Sequence, residues 1–473
     1  MTSWTIRDLE YWDGRIREKV EEFGLSCYPQ EFELCDHTQM LGLMAYSGMP
    51  ARYPHWSWGK SFERQKTLYD HGVAGLPYEM VINSDPCLAY LMRQNSLALQ
   101  ILTIAHVYGH NDFFARNFTF GHLRADLAVD SFKNHARRAR AYAADPSIGQ
   151  AKVETVLDAA HALSLNAPRN PAIRRRNPVE QREAALAAAA PPADPFRAVH
   201  RRPDYREPDL HRTPLEPEED LLLFIRDHAP RLAEWQKDLI TIVHDEAQYF
   251  LPQIETKIMN EGWATYWHRT ILNSLELPPD LQIEFLVRHN QVVRPIPGDI
   301  NPYHLGLRLW DDIVRRHDAP TAEEIEAGGP PGRSGRAAIF EVREVDRDVS
   351  FLRRFLTQPL MREMDMVELE PADGAMTVTK VADEADWRAV KQTLLASVGM
   401  GGVPLIRVVD ADHGGDRSLL LRHEFEGREL QMDYAEKTLR FVQQLWGSDV
   451  VLETQLGGRS VALCWNGSEL RRR

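Results

Sequence analysis

The stretch "LAYLMRQNSLALQILTIAHVYGHNDFFARNF", residues 88–118, decides the fold class because its apolar side chains recur at helical spacing. Leu99, His106 and Phe113 follow one another at intervals of two helical turns, which predicts a buried helix. His110 lies one turn after His106, so the two rings would share one face of this helix. The pair can bind a metal ion, or it can consist of core histidines that hydrogen-bond to the protein.

Length and composition bound the class of protein. The chain has 473 residues and a formal net charge of −13. Hydrophobic residues make up 43% of it, which suffices for a large core in two domains or in one large domain with an appendage. The acidic balance argues against general nucleic-acid binding. Neither a secretory signal nor a run of roughly 20 apolar residues is visible, so we expect a cytoplasmic protein without a membrane span.

The usual cofactor motifs are missing. Four cysteines are scattered without a CxxC pair, which predicts neither a disulfide framework nor a thiolate zinc site. The glycine-rich "GMGGVP", residues 399–404, lacks the lysine and hydroxyl of a phosphate-binding loop. No nucleotide cofactor is therefore indicated.

The amino-acid composition and the hydrophobic pattern change twice along the chain. Residues 4–166 and 221–316 have mostly helical periodicity, whereas 167–220 is rich in Pro, Arg and Ala and predicts a surface insertion with disorder. Helix and strand patterns alternate beyond about residue 370. We therefore predict a mainly α protein, with a helical domain over 1–340 and a small α+β domain over 341–473.

Short local signals refine this outline. "YEMVIN", residues 78–83, is typical of a strand, and the Ser84-Asp85-Pro86 that follows suits the start of a helix. We therefore expect the helix of residues 88–118 to begin soon after Pro86. His413-Gly414-Gly415-Asp416 predicts a hairpin turn in the C-terminal region.

Two carboxylates interrupt apolar faces of later helices. Glu246 and Glu261 each stand where an apolar residue would be expected, on two helices separated near Pro252. A buried carboxylate is costly without a proton, a cation or a metal. Together with His106 and His110 they would form a nitrogen and oxygen site of the kind that zinc or iron accepts.

Helix geometry limits this ligand set. Glu261 and His268 are separated by about 10 Å along the helix axis, so both cannot easily bind one ion. We assign Glu261 as the ligand and His268 as a residue that orients a ligand or faces the substrate. The Glu-x-x-His pairs of di-iron bundles are absent from these segments.

Six segments together resemble the stage V sporulation protein R (SpoVR) family. They are "YPHWSWGKSFE", "GLPYEMVINSDPCLAYL", "AHVYGHNDFFARN", "AQYFLPQIETKIMNEGWATYWHRTIL", "NPYHLGLRLWDDI" and "LWGSDVVLE". The resemblance extends from about Cys27 to Thr454, with one departure at His244, where the family pattern leads us to expect arginine. It implies a role in sporulation, the spore cortex and stationary-phase or stress physiology, with a PrkA-type serine kinase and a YeaH/YhbH-type protein as partners. It implies no molecular activity.

A second, more distant similarity concerns "EGWATY", residues 261–266. It is similar to the helix of gluzincin-like metallopeptidases that supplies the third zinc ligand. Those enzymes pair it with HExxH, but here Val107 replaces the glutamate that serves as general base. The similarity implies that His106, His110 and Glu261 hold a zinc or iron ion.

Two hypotheses follow. In the first, the protein is a metal-dependent hydrolase that cleaves an amide or peptide bond in envelope-related material. Glu246 would then act as base, and His268 or Tyr266 would contact the substrate. In the second, the same residues form a buried polar network in a regulatory scaffold that acts with the kinase partner.

Overall fold

The computed structural model describes residues 4–72, 75, 77–169, 173–189, 208–296, 298–326, 328, 332–372, 375–383 and 385–472. The helices are α1 (Ile6–Phe23), α2 (His37–Ala45), α3 (Trp56–Asp70), α4 (Leu97–Arg116), α5 (Ala128–Ala144), α6 (Gln150–Leu163), α7 (Pro178–Ala189), α8 (Leu221–His228), α9 (Glu234–Glu255), α10 (Lys257–Ser274), α11 (Pro279–Val292), α12 (Pro302–Asp318), α13 (Ala322–Glu326), α14 (Gly335–Val345), α15 (Asp348–Phe355), α16 (Gln358–Glu363), α17 (Trp387–Ser397) and α18 (Met432–Trp446). The strands are β1 (Gln30–Cys35), β2 (Glu79–Ile82), β3 (Cys87–Met92), β4 (Val367–Ala372), β5 (Ala375–Val381), β6 (Ile406–His413), β7 (Ser418–His423), β8 (Val450–Leu456), β9 (Arg459–Trp465) and β10 (Leu470–Arg472). The predicted mainly α character is confirmed.

The chain divides into two compact units. The first unit combines Met1–Arg138 with Tyr249–Gly402, and the second combines Ala139–Gln248 with Val403–Arg473. These units are interleaved along the chain and do not follow the predicted boundary after residue 340. The assignment of independent domains stays a prediction.

Helix α4 lies at the centre of the first unit and is buried around most of its circumference. Its side chains are buried from Ala98 through Phe114, so it lacks the polar face of a surface helix. Ser96 begins the helix by accepting a hydrogen bond from the backbone N–H of Leu99 at 3.3 Å. The predicted buried helix is therefore confirmed over its carboxyl-terminal part.

Glycines allow α10 to approach α4 and α12 at backbone distance. A methyl group at Gly109 of α4 would lie 2.6 Å from Ala264 Cα of α10. A methyl group at Gly262 of α10 would overlap the backbone of Gly306 in α12. These crossings bring the faces that carry His106 and Glu261 together.

A three-stranded sheet lies beside this helical core, with strand order β1-β3-β2. Strand β3 pairs in parallel with β1 and antiparallel with β2. Residues 88–92, predicted as part of the long helix, are therefore strand, and the helix begins only at Leu97. The side chains on both faces of β3 are apolar and largely or partly buried. Such a run cannot be told from a buried helix by its composition.

The predicted insertion is ordered in part. Pro178–Ala189 forms α7, which has no buried residue, although disorder was expected there. Alanine supports a helix by its intrinsic propensity without an apolar face, which accounts for the difference. Arg175 forms an ion pair with Glu218. Residues 170–172 and 190–207 of the predicted insertion lie outside the described residues.

The carboxyl-terminal part of the second unit contains a five-stranded sheet in the order β10-β9-β8-β7-β6. Strands β7 and β8 are parallel, and the other neighbours are antiparallel. The predicted turn at residues 413–416 joins β6 to β7 and is confirmed. Helix α18 was also predicted at this place in the sequence.

His244, the departure from the family pattern, is held in the second unit by two carboxylates. Its Nε2 lies 3.0 Å from Asp220 Oδ2 and its Nδ1 lies 3.0 Å from Asp245 Oδ1. Burial lowers the pKa of His244, but these two hydrogen-bonded partners outweigh it and raise the pKa to about 9. A cation is therefore favoured at this position, as it would be with arginine.

Among the helices of the described residues, none combines the length and the apolar character that a membrane span requires. The four cysteines are free thiols.

Candidate metal centre

The centre is built on one turn of α4. His106 and His110 project from the same face, with their ring centroids 4.6 Å apart and their planes nearly perpendicular. Both side chains are buried. The four-residue spacing thus produces the convergence that was predicted from the sequence.

Glu261 reaches the two histidines from α10. Its Oε2 lies 3.5 Å from His110 Nε2 and 3.9 Å from His106 Nε2. This oxygen is buried and has no hydrogen-bond partner. A buried carboxylate oxygen that faces two imidazole nitrogens without a hydrogen bond is suited to a shared cation.

Glu79 of β2 is the fourth member of the centre and was missed in the sequence. Its Oε1 lies 3.9 Å from His106 Nε2. Within the described part of the chain, Glu79, His106 and His110 form a group whose ligand atoms all lie within 4.8 Å of one another. The sequence held one signal for Glu79, namely a carboxylate inside the otherwise apolar predicted strand "YEMVIN". In the structure this strand is β2, which pairs along only one edge.

Hydrogen bonds behind the two histidines orient their rings. His110 Nδ1 lies 2.8 Å from Asn260 Oδ1, and because this oxygen can only accept, Nδ1 donates. With Nδ1 as the donor, Nε2 is the ring nitrogen that faces Glu261, and its lone pair would be available to a metal ion in the neutral ring. His106 Nδ1 lies 2.9 Å from His268 Nδ1, so its Nε2 also faces the carboxylates. Such outer partners are the usual way in which a protein fixes the ligating nitrogen of histidine.

His268 extends this network away from the centre. Its Nε2 lies 2.8 Å from His289 Nδ1, and its side chain is fully buried. Burial, together with His106 and His289, lowers the pKa of His268 well below its usual value. His268 thus contacts His106 in the interior, and its role as a ligand-orienting or substrate-facing residue stays a prediction.

The charges of the centre are coupled. Burial raises the pKa of Glu79 to about 7 and lowers that of His106 to about 4. Burial would lower the pKa of His110 as well, but the neighbouring carboxylate of Glu261 raises it overall. Burial raises the pKa of Glu261, but both histidines outweigh this and lower it. The close approach of His110 Nε2 and Glu261 Oε2 thus favours the charged form of each group.

Two tyrosines differ in their relation to the centre. Tyr266, predicted to contact substrate, packs against Trp263 and Trp267, with their ring centroids 6.5 and 5.3 Å away. The ring centroid of Tyr303, which was not predicted, lies 6.0 Å from that of His106. The charge of Glu261, followed by burial, raises the pKa of Tyr303 well above its usual value.

Glu246, the predicted base, is 3% exposed, which confirms the inward position expected for it. It lies on the part of α9 that belongs to the second unit, whereas the centre is built from residues of the first unit. Its role as base stays a prediction.

The donor set fits a transition metal ion. Two imidazoles and two carboxylates make up the nitrogen and oxygen ligands that zinc and iron accept. The oxygen of Glu261 without a hydrogen bond and the two oriented Nε2 atoms carry this conclusion. His106, His110, Glu261 and Glu79 are the residues that would hold the ion.

The fold and this centre define a mainly helical protein with a buried cluster of histidine and glutamate. A family model described as SpoVR like protein matches residues 3–403, and another described as SpoVR-like C-terminal domain matches residues 404–457. "Uncharacterized protein YcgB" of Escherichia coli (strain K12) is 33% identical over 488 residues, which cover 97% of this chain and 94% of that relative. No solved structure matches the chain.

The chain belongs to the SpoVR family, as the matches along nearly its whole length require. The predicted family is thereby confirmed, whereas the similarity to gluzincins is not among these matches. The two family models meet between residues 403 and 404, close to the point where the chain enters the second unit at Val403.

Proposed function

We propose that this protein binds one zinc or iron ion through His106, His110, Glu261 and Glu79, and that it hydrolyses an amide or peptide bond there. The observation that carries the proposal is the convergence of two imidazole Nε2 atoms on the buried oxygen of Glu261 that has no hydrogen bond. When bound, such an ion polarises a carbonyl group and activates a water molecule. The SpoVR family association favours a substrate from the cell envelope and a role in sporulation or stress physiology.

The residues of the chain have separate tasks in this proposal. Asn260 and His268 keep the ligating nitrogens of the two histidines directed at the ion. Tyr303 lies next to Glu261 and His106, and in this proposal its hydroxyl donates to a substrate oxygen. Glu246 is the proposed base, because the residue after His106 is a valine in place of the usual glutamate.

Metal analysis of the purified protein tests the centre. We expect close to one equivalent of zinc or iron in the unmodified protein, and its loss in the His106→Ala/His110→Ala double variant. Glu246→Gln should retain the ion and lose hydrolytic activity. Loss of the ion in Glu246→Gln would assign that residue to metal binding, and unmodified protein that is free of transition metal would refute the proposal.

A second candidate function is a regulatory scaffold that acts with a PrkA-type kinase and a YeaH/YhbH-type protein. A continuous series of hydrogen bonds from His106 through His268 to His289 favours the scaffold function. Such a network can hold α4, α10 and α11 in register without any ion. Metal-free protein that remains fully folded would support this second candidate.

A further inference from the structure

A cleft of about 730 Å³ lies against the centre in the first unit. Glu261 and Tyr303 line it, and both also belong to the immediate surroundings of His106. The segment that follows α11 forms one wall of this cleft. Asn301 holds that wall by donating two hydrogen bonds of 2.8 Å to the carbonyl oxygens of Val292 and Arg294. The cleft is therefore a built feature that gives access to the centre.

The charges of the cleft are unusual for such an acidic chain. Lys257 and Arg294 line it, and both are exposed. No carboxylate lies within ion-pair distance of either side chain among the described residues. Glu261, which faces the histidines, is the acidic residue in this lining. Two cations at the mouth of a cleft, with a carboxylate-rich centre below, can hold an anion and keep it away from the carboxylates.

We propose that this cleft binds a carboxylate group of the substrate through Lys257 and Arg294. The inference rests on the proposed function and deepens it, since it specifies an amide that carries a negative charge near the bond to be cleaved, as in a short acidic peptide. Ile296 is 49% exposed and provides an apolar surface in the same wall. The substrate is thus an amide with one anionic end and a small apolar part.

Two small probes test the charge preference. N-acetylglycinate carries a carboxylate beside an amide bond, and N-acetylglycinamide is its neutral counterpart. We expect the metal-loaded protein to bind N-acetylglycinate about tenfold more tightly, which corresponds to about 1.4 kcal/mol. Calorimetric titration measures both affinities.

Variants locate the source of the preference. Lys257→Gln/Arg294→Gln should bind the two probes equally. Lys133→Gln/Arg362→Gln, which removes two exposed cations of the first unit outside the cleft lining, should keep the tenfold difference. Circular dichroism shows whether each variant is folded, and equal binding of both probes by the unmodified protein would overturn the inference.

The titration is repeated after removal of metal with a chelator, so that this inference and the proposed function can fail separately. A preference that survives chelation and depends on Lys257 and Arg294 supports the cleft, whether or not the centre holds an ion. A preference that persists in the double variant and disappears on chelation assigns the carboxylate to the ion and refutes the anion site.

Discussion

Gly109→Ala is a sharp test of how the helices position the centre. Gly109 lies between the two histidines, and its added methyl group would stand 2.6 Å from Ala264 Cα and 3.2 Å from Ala264 Cβ. Carbon atoms in contact normally lie about 3.5–4.0 Å apart. The methyl group must therefore push α10 away from α4 by about 1 Å.

The expected cost follows from two opposing effects. Overpacking of a close helix contact costs about 1–3 kcal/mol, and a clash with backbone lies at the upper end of that range. Replacing glycine by alanine inside a helix returns up to about 1 kcal/mol. We expect a net loss of about 2 kcal/mol in the free energy of unfolding. A shift of 1 Å also exceeds the roughly 0.5 Å tolerance of a metal site, so metal content should fall.

Urea denaturation and metal analysis measure these two effects, with Gly14→Ala as the matched control. Gly14 also lies within a helix, but a methyl group there would meet no atom within 4 Å. The control should be as stable as the unmodified protein or up to about 1 kcal/mol more stable, with unchanged metal content. If Gly109→Ala behaves like this control, the close crossing of α4 and α10 does not position the ligands, and the reasoning is refuted.

Three further predictions concern other parts of the molecule. Asn260→Leu removes the acceptor that orients a ligating histidine, so titration with zinc should show an affinity lower by about 10–100-fold, and unchanged affinity would contradict the assigned role. The raised pKa of His244 means that the stability from its ion pairs is present below about pH 6.5 and is lost as the pH rises through about 9. We expect urea denaturation to show that the free energy of unfolding falls by about 1–2 kcal/mol over this pH range. His244→Arg should remove this pH dependence, because arginine stays charged. An equal fall in that variant would assign the pH dependence to other groups. Arg343→Met leaves Asp112 as a buried carboxylate without its 2.7 Å ion-pair partner and should cost about 3–5 kcal/mol, most of which Asp112→Asn should recover in the double variant.

Local sequence patterns were sufficient for the parts of the centre that lie on single helices. The spacing of His106 and His110 requires them to share a face wherever the chain is helical, and the apolar stripe around Glu261 requires that carboxylate to point inward. Both follow from the period of the α-helix, which depends only on neighbours along the chain. For the same reason, the helices and strands of the C-terminal region could be predicted individually.

Contacts between distant segments could not be derived in this way. Glu79 joins the centre because β2 pairs with β3, and β3 itself was predicted as helix because a strand buried on both faces has no alternating pattern. The position of Tyr303 beside His106 likewise depends on the crossing of helices from separate parts of the sequence.

The sequence by itself determined the family, the mainly helical class and the two histidines with an inward glutamate, since each depends on local periodicity or on contiguous motifs. Only the tertiary structure decided that Glu79 lies beside His106, that Asn260 and His268 contact the two imidazoles, and that a cationic cleft opens beside them. The physical reason is that ligand distances of a few ångströms are set by how helices and strands pack, and backbone contact at Gly109 becomes visible only when two helices meet.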